Sequence, residues 1–309
     1  MQFTDTHCHI HSVDYPLPIT EVDAHNAQAG VEYLLCVGEN AEDSALAVEF
    51  VANRPHSWAS VGLHPHDAKD GPAALENLRS LIEADRRRSS SQTLLGPVTK
   101  KQTSQVLAEL RAREPSFLVP PSTKSQSDSN REEGERRQQS LRKIVAVGEC
   151  GLDYFYGHSS KEDQEKALRY QIELALEFDL PLVFHVRDAF DDFWPIFDAY
   201  RGVRGVLHSF TDDATNLSKA IARGLYIGVN GIVTFTENPS QLEVARQIPP
   251  DRLVLETDSP FLTPVPLRGK VNEPAHVLIV ARFLSELRQI SLQELAQITT
   301  TNARQLFSL

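Results

Sequence analysis

Eight short apolar runs, most of them ending in glycine or a polar cluster, alternate with longer segments whose apolar residues return every three or four positions, and this alternation restricts the fold more than any other feature of the chain. The runs are Phe3–Cys8, Tyr33–Val37, Trp58–Leu63, Ile144–Gly148, Pro181–His185, Gly205–His208, Leu225–Val229 and Arg252–Glu256. They are rich in Val, Ile, Leu and Tyr and read as strands. Between them Ala41–Asn53, Pro72–Ala84, Lys161–Phe178, Phe190–Arg201, Asp213–Arg223 and Ser240–Ile248 carry helical periodicity; in the third, Ala167, Tyr170, Leu174 and Phe178 line one face. Such alternation makes βαβ units with parallel strands, and eight strands match a closed (β/α)8 barrel of the TIM type better than an open, doubly wound sheet. Ala275–Arg288 and Ser291–Leu306 are expected to wrap the closing side. One α/β barrel occupies about 200 to 250 residues or more, so a chain of 309 residues has room for a single barrel with an insertion.

The insertion is visible as a break in the rhythm. Residues 86–143, between the expected third helix and fourth strand, hold Arg86-Arg87-Arg88-Ser89-Ser90-Ser91, Pro120-Pro121-Ser122 and Ser125-Gln126-Ser127-Asp128-Ser129-Asn130. A stretch so poor in aromatics and rich in Ser, Gln and Arg buries too little surface to offset its ordering entropy, and is expected to be partly disordered, with Thr103–Arg113 as a helical island. Its 13 basic and 6 acidic residues give it a net charge of +7, against −18 for the rest of the chain. It reads first as a solvated loop, and in the sharper reading as a basic tether for nucleic acid; joining a helix to the next strand, it is expected on the amino-terminal face of the barrel.

No run of about 18 apolar residues is present, and acidic and histidine residues follow the first methionine at once, so neither a membrane span nor a signal peptide is expected. Cys8, Cys36 and Cys150 are odd in number and lie in or at the ends of expected strands, as reduced packing thiols do. These features point to an intracellular protein, cytoplasmic or nuclear, and to a monomer.

Six of the 11 histidines fall at the carboxyl ends of expected strands, where barrel enzymes keep their active sites. His7 and His9 are two apart on the first strand and project together. The third run ends Gly62-Leu63-His64-Pro65-His66, the fourth continues Gly148-Glu149-Cys150-Gly151-Leu152-Asp153, the fifth ends Phe184-His185-Val186-Arg187, the sixth Leu207-His208-Ser209-Phe210, and the eighth Glu256-Thr257-Asp258-Ser259-Pro260. Histidines that merely fill a core would not follow strand ends so regularly, and the joint pattern indicates a metal site. The donors exceed what one ion needs, which suits two divalent ions sharing a carboxylate; imidazole with carboxylate suits Zn, Mn, Fe or Co, and carboxylate with water suits Mg.

These motifs, with Arg268-Gly269-Lys270, Asn272-Glu273-Pro274 and Thr301-Asn302-Ala303, resemble the TatD-type metal-dependent deoxyribonucleases of the amidohydrolase-like (β/α)8 barrels. The resemblance covers nearly all of the chain outside Arg86–Lys143; Val271 stands where many relatives have a polar or basic residue. It implies that His7, His9, Glu149 and Asp258 hold one ion and that Glu149, His185 and His208 hold the other, with Mg2+ first and Mn2+ or Zn2+ as alternatives. Asp258 would orient or deprotonate the attacking water, His64 would face the scissile phosphate, and Asp153 and Arg187 would support the ligands or the substrate. The implied activity is hydrolysis of DNA, including 3′ to 5′ exonuclease action on single strands or accessible 3′ ends; some members of the family are linked to deacylation of mischarged tRNA.

Two other readings remain on the sequence. Metal-activated water attacks carbonyls as readily as phosphorus, so an amidase- or esterase-type hydrolase is the alternative. A binding scaffold on a retired barrel is weaker, because no expected ligand has been replaced. Glu256 reads as structural, His66 as a cap of its loop or the following helix, and Tyr154, Phe155 and Tyr156 either as loop packing or as surfaces for a base. Cys8, between two expected ligands, should turn away into the layer between barrel and helices.

Overall fold

The computed structural model describes residues 1–95 and 142–309, with side chains to residue 90 and from 142 onward. Eight parallel strands follow one another around a nearly closed barrel: β1 Phe3–Cys8, β2 Val31–Val37, β3 Ser57–Val61, β4 Ile144–Asp153, β5 Leu182–Arg187, β6 Gly205–Leu207, β7 Tyr226–Val229 and β8 Leu253–Leu255. Nine α-helices lie among the described residues: α1 Ile19–Ala29, α2 Ala41–Val51, α3 Gly71–Leu95, α4 Lys161–Glu177, α5 Phe190–Asp198, α6 Ala214–Ala222, α7 Pro239–Gln247, α8 Val277–Arg288 and α9 Leu292–Phe307. No described helix is long and apolar enough to cross a membrane.

The chain divides into two compact units, Met1–Ile82 with Lys143–Leu309, and Glu83–Arg142. The first is the barrel. In the second, α3 continues through the Arg86–Ser91 run to Leu95, eleven residues beyond the expected Ala84 end, with an Arg87–Glu83 ion pair of 3.2 Å one turn apart. A serine- and arginine-rich stretch has poor apolar periodicity but no residue that forbids a helix, so the amphipathic pattern ended before the helix did. The remainder of the expected insertion, Thr103–Arg113 included, lies outside the described residues.

Strand alternation sorts the barrel's side chains into two layers. Leu182 and Phe184 of β5 join the outer layer with Leu168, Ile172 and Phe193 from the surrounding helices, while Val183 joins Leu35, Val145, Val206 and Val254 inside. Ala303, Leu306 and Phe307 of α9 join that inner group, so the C-terminal helix contributes to the barrel filling. β1 departs from regular pairing: its register against β2 shifts between Asp5 and Cys8, so Phe3 and Cys8, five residues apart, both reach the outer layer. Cys8 lies there as expected, its thiol donating to the Leu35 carbonyl at 3.4 Å.

Helix starts follow their caps. Asn40 accepts from the Glu42 and Asp43 amides, Ser160 from Asp163, Asp213 from Asn216 and Ser291 from Glu294. The helix between β1 and β2 has no counterpart in the sequence reading. Only Val22 and Asn26 of α1 are buried, so its apolar stripe is too thin to register as periodicity.

The ring closes through backbone bonds just past β8: Asp258 N donates to His7 O at 2.8 Å, and His9 N to Ser259 O at 2.7 Å. The buried Asp5 carboxylate stitches the same seam, accepting from Thr257 N at 2.9 Å and Thr257 Oγ1 at 2.6 Å. On the far side, β4 and β5 run so close at Gly151 that a Cβ there would stand 1.8 Å from the His185 carbonyl oxygen, with φ at +151°. Gly151→Ala is therefore expected to destabilise the fold by at least about 3 kcal/mol, from steric overlap and backbone strain together. Urea denaturation followed by circular dichroism measures it; an unshifted midpoint would mean that β5 can move aside without cost.

Candidate metal centre

Every expected ligand is delivered to the carboxyl end of the barrel. β4 runs five residues further than its apolar run suggested, carrying Glu149 and Asp153 within the strand. β3, β6 and β8 stop at Val61, Leu207 and Leu255, leaving His64, His208 and Asp258 just beyond their last paired residues. Asp258 has φ of +59°, a conformation open to Asp at modest cost, and is held there by its amide bond to His7 O and by Phe261 N donating to its carbonyl at 2.8 Å.

Glu149, 3% exposed, is the hub. Its Oε2 lies 3.2 Å from His7 Nε2, and its Oε1 lies 2.8 Å from His185 Nδ1 and 3.6 Å from both His64 Nε2 and His208 Nε2. Asp258 Oδ1 stands 3.5 Å from the Nε2 atoms of both His7 and His9, which are 3.1 Å from each other, and 4.0 Å from His208 Nε2. Three overlapping groups are spaced to hold a cation: His7, His9 and Glu149; His7, His208 and Asp258; and His64, Glu149 and His185.

The outer partners of the imidazoles decide which ring nitrogen faces inward with a lone pair. His9 Nδ1 lies 2.8 Å from the Val37 carbonyl, an acceptor only, so Nδ1 carries the proton and Nε2 is free to bind a metal. His208 Nδ1 stands 3.1 Å from Glu256 Oε1, an ion-pair distance, while its Nε2 faces Glu149 and Asp258. His185 is reversed: Nε2 donates to Asp153 Oδ2 at 3.0 Å, and Nδ1 faces Glu149. His64 behaves differently, because its Nδ1 accepts the His66 amide at 3.2 Å and its neutral ring carries the proton on the inward Nε2. In that tautomer the inward nitrogen is a donor and offers no lone pair to a cation. The donor set fits a divalent cation, and His64 differs from the other imidazoles in presenting a donor.

Electrostatics agree. Burial opposes charge on His9, yet its bond to Asp258 and the fields of Glu39, Asp258 and Glu149 raise its pKa to about 10. Against the same burial, Asp153 and Glu149 raise His185 to about 9, and Glu256, Glu149 and Asp258 raise His208 to about 10. Glu149 stays ionised, because His208, His7 and His64 outweigh its own desolvation and hold its pKa well down. Burial drives His64 the other way, well below its ordinary value.

Arg187 lies apart from this cluster, its guanidinium over the rings of Phe155 at 3.9 Å and Tyr156 at 4.9 Å. Several residues given no chemical role above turn out to shape the site. Glu256 backs His208, and Asp153 also binds His66 Nε2 at 3.2 Å. Glu39, at the end of β2, joins His9 and Asp43 as a further acidic group, with Asp43 bonded to His11 Nε2 at 3.1 Å. The strand-end rule would have found Glu39, but no histidine marks that strand. Gln171 and Gln164 of α4 bracket the ends of β3 and β4: Gln171 binds Leu63 N and O at 2.8 and 3.0 Å, and Gln164 binds Asp153 N and O at 2.8 and 3.0 Å.

The sequence profile of the family described as TatD related DNase matches residues 4–308. The chain belongs to the TatD-related DNase family. It is 32% identical over 305 residues to the Bacillus subtilis (strain 168) uncharacterized metal-dependent hydrolase YabD, covering 98% of each chain. It is 29% identical over 288 residues to the 3′-5′ ssDNA/RNA exonuclease TatD of Escherichia fergusonii, covering 91% of this chain and 89% of that one. The crystal structure of YjjV, a TatD homolog from Escherichia coli K12, superposes with a TM-score of 0.74 at 26% identity, covering 99% of this chain and 98% of that one.

A cation held by His9, His185 and His208 would have to displace their protons, so ion binding by this TatD-family chain should release protons. Affinity for Mn2+ or Zn2+ should then rise with pH between 6 and 8, below the raised values of about 10, 9 and 10. Calorimetric titration in buffers of differing ionisation enthalpy measures the protons released; none released, with affinity flat in pH, would contradict the assignment.

Proposed function

We propose that this chain, a metal-dependent hydrolase of the TatD family, hydrolyses phosphodiester bonds in DNA, removing nucleotides from accessible 3′ ends of single strands. The observation that carries the reading is the division of Glu149, one oxygen toward His7 and the other toward His185, as expected of a carboxylate shared by two ions. The relative from Escherichia fergusonii named a 3′-5′ ssDNA/RNA exonuclease supports the substrate class.

In this reading His7, His9, Glu149 and Asp258 hold one ion and Glu149, His185 and His208 the other, with Mg2+ as the first choice. Bound divalent ions supply Lewis acidity, lower the pKa of water and neutralise charge on a phosphoryl oxygen. The remaining work falls to side chains. Asp258 orients the attacking water and takes its proton on a carboxylate oxygen. His64, neutral because it is buried, donates from Nε2 to a non-bridging oxygen of the scissile phosphate and stabilises the charge that grows there. Asp153 fixes the His185 ring, and Glu256 the His208 ring.

Release of nucleotides from a 3′-labelled or 5′-labelled single strand with Mg2+, Mn2+ and Zn2+ in turn tests the activity. No cleavage with any of them, alongside hydrolysis of acyl or amide substrates, would replace the nuclease with an amidase- or esterase-type enzyme. Glu149→Ala should abolish turnover. Asp258→Ala should cost at least about 100-fold in kcat, the scale of general-base and electrostatic terms. His64→Ala should lower kcat while metal content, measured by elemental analysis, stays near that of the wild type; equal metal loss in the His64 and Glu149 variants would make His64 a ligand.

A further inference from the structure

A cavity of about 290 Å3 opens beside the metal centre between the ends of β5 and β6. His208 forms part of its wall, so whatever fills it lies next to the reacting bond. Phe155, Arg187, Phe190, Asp188 and Asp212 are also in its lining. Phe155 follows β4 and is 56% exposed, an unusual state for a phenylalanine in a loop that has a barrel to pack against. Its exposure is stabilised by Arg187, whose guanidinium carbon sits 3.9 Å from the ring centroid, and Tyr156 meets the same ring edge-on at 4.8 Å. The result is a polarised aromatic step at the rim of the cavity.

The cavity's chemistry selects its occupant. Asp188 and Asp212 are acceptors that repel a phosphate, so the phosphate belongs at the metal centre and not in the cavity. They suit hydroxyl and N–H donors; one Asp212 oxygen already takes Asn216 Nδ2 at 2.7 Å and Asp213 N at 2.8 Å, which orients the carboxylate. A flat ring bearing such donors and attached to a phosphate is a nucleoside, and bases stack on both aromatic faces and guanidinium planes. The volume lies at the small end of ligand cavities, enough for one nucleoside and too little for a duplex. Resting on the nuclease reading above, we propose that this cavity binds the nucleoside adjoining the scissile phosphate, with Phe155 and Arg187 as its stacking platform and Asp188 as acceptor for its donors.

The test compares two chromogenic diesters under the same metal conditions: thymidine 5′-(p-nitrophenyl phosphate), which carries a nucleoside, and methyl p-nitrophenyl phosphate, which does not. The wild type should favour the nucleoside ester in kcat/KM. Phe155→Ala should lower that preference about 10-fold, mostly through KM, the scale of losing one stacked base, and Phe155→Trp should preserve it. Phe155 is largely exposed, so its truncation leaves the core intact, as a thermal melt of each variant checks. A preference unchanged in Phe155→Ala overturns the subsite while leaving the nuclease reading standing. A wild type that cleaves neither ester nor a single-stranded oligonucleotide overturns the nuclease reading and the subsite with it.

Discussion

The seam between β1 and the segment after β8 is the constraint on which the rest of this structure depends. A parallel barrel must join its last strand to its first, and here β8 is only three residues long. Pairing therefore continues beyond it, through Asp258 N to His7 O and His9 N to Ser259 O, with Asp5 binding Thr257 from the side. Three expected ligands, His7, His9 and Asp258, lie in those few residues. Closing the ring and bringing the imidazoles to the carboxylate are thus one event, and the centre inherits the rigidity of the seam.

That economy concentrates charge. Glu149, Asp258, Asp153, Glu256 and Glu39 all lie within the mouth of the barrel, and an unbalanced buried carboxylate is costly. In the absence of ions the balance is met by protons on His9, His185 and His208, whose pKa values stand at about 10, 9 and 10. Protons and metal ions compete for the same donors. The outer carboxylates and the Val37 carbonyl set the tautomers in advance, so that exchanging a proton for a cation requires no ring to turn.

Part of what makes the sequence recognisable is scaffolding. Asn272 donates to Thr257 O at 2.9 Å and to Phe261 O at 2.6 Å, binding the loop that carries Asp258; Asn302 donates to Pro250 O and Leu253 O at 2.7 and 2.8 Å, fixing the start of β8. Both belong to motifs that read at first as family signatures without a mechanism. Their task is to satisfy backbone carbonyls where strands end and regular pairing stops.

The order of strands, the parallel barrel and the six expected ligands at strand ends follow from local pattern, because apolar periodicity and the position of histidines along a strand are properties of neighbouring residues. His7 and His9 share a side and Cys8 opposes them for the same reason. The tertiary structure alone decided the rest. It set the register shift in β1, the length of β4 beyond its apolar run, the helix after β1 that its thin apolar stripe concealed, and the convergence of Glu256 on His208. It also decided that the inward nitrogen of His64 carries the proton of a neutral ring, whereas those of His9 and His208 carry protons that a cation can displace. That choice is made by what lies behind each ring: an amide of the next turn for His64, a carbonyl from another strand for His9 and a carboxylate from another for His208. The partners of His9 and His208 are distant in sequence and leave no periodic trace, so only the folded chain reveals them.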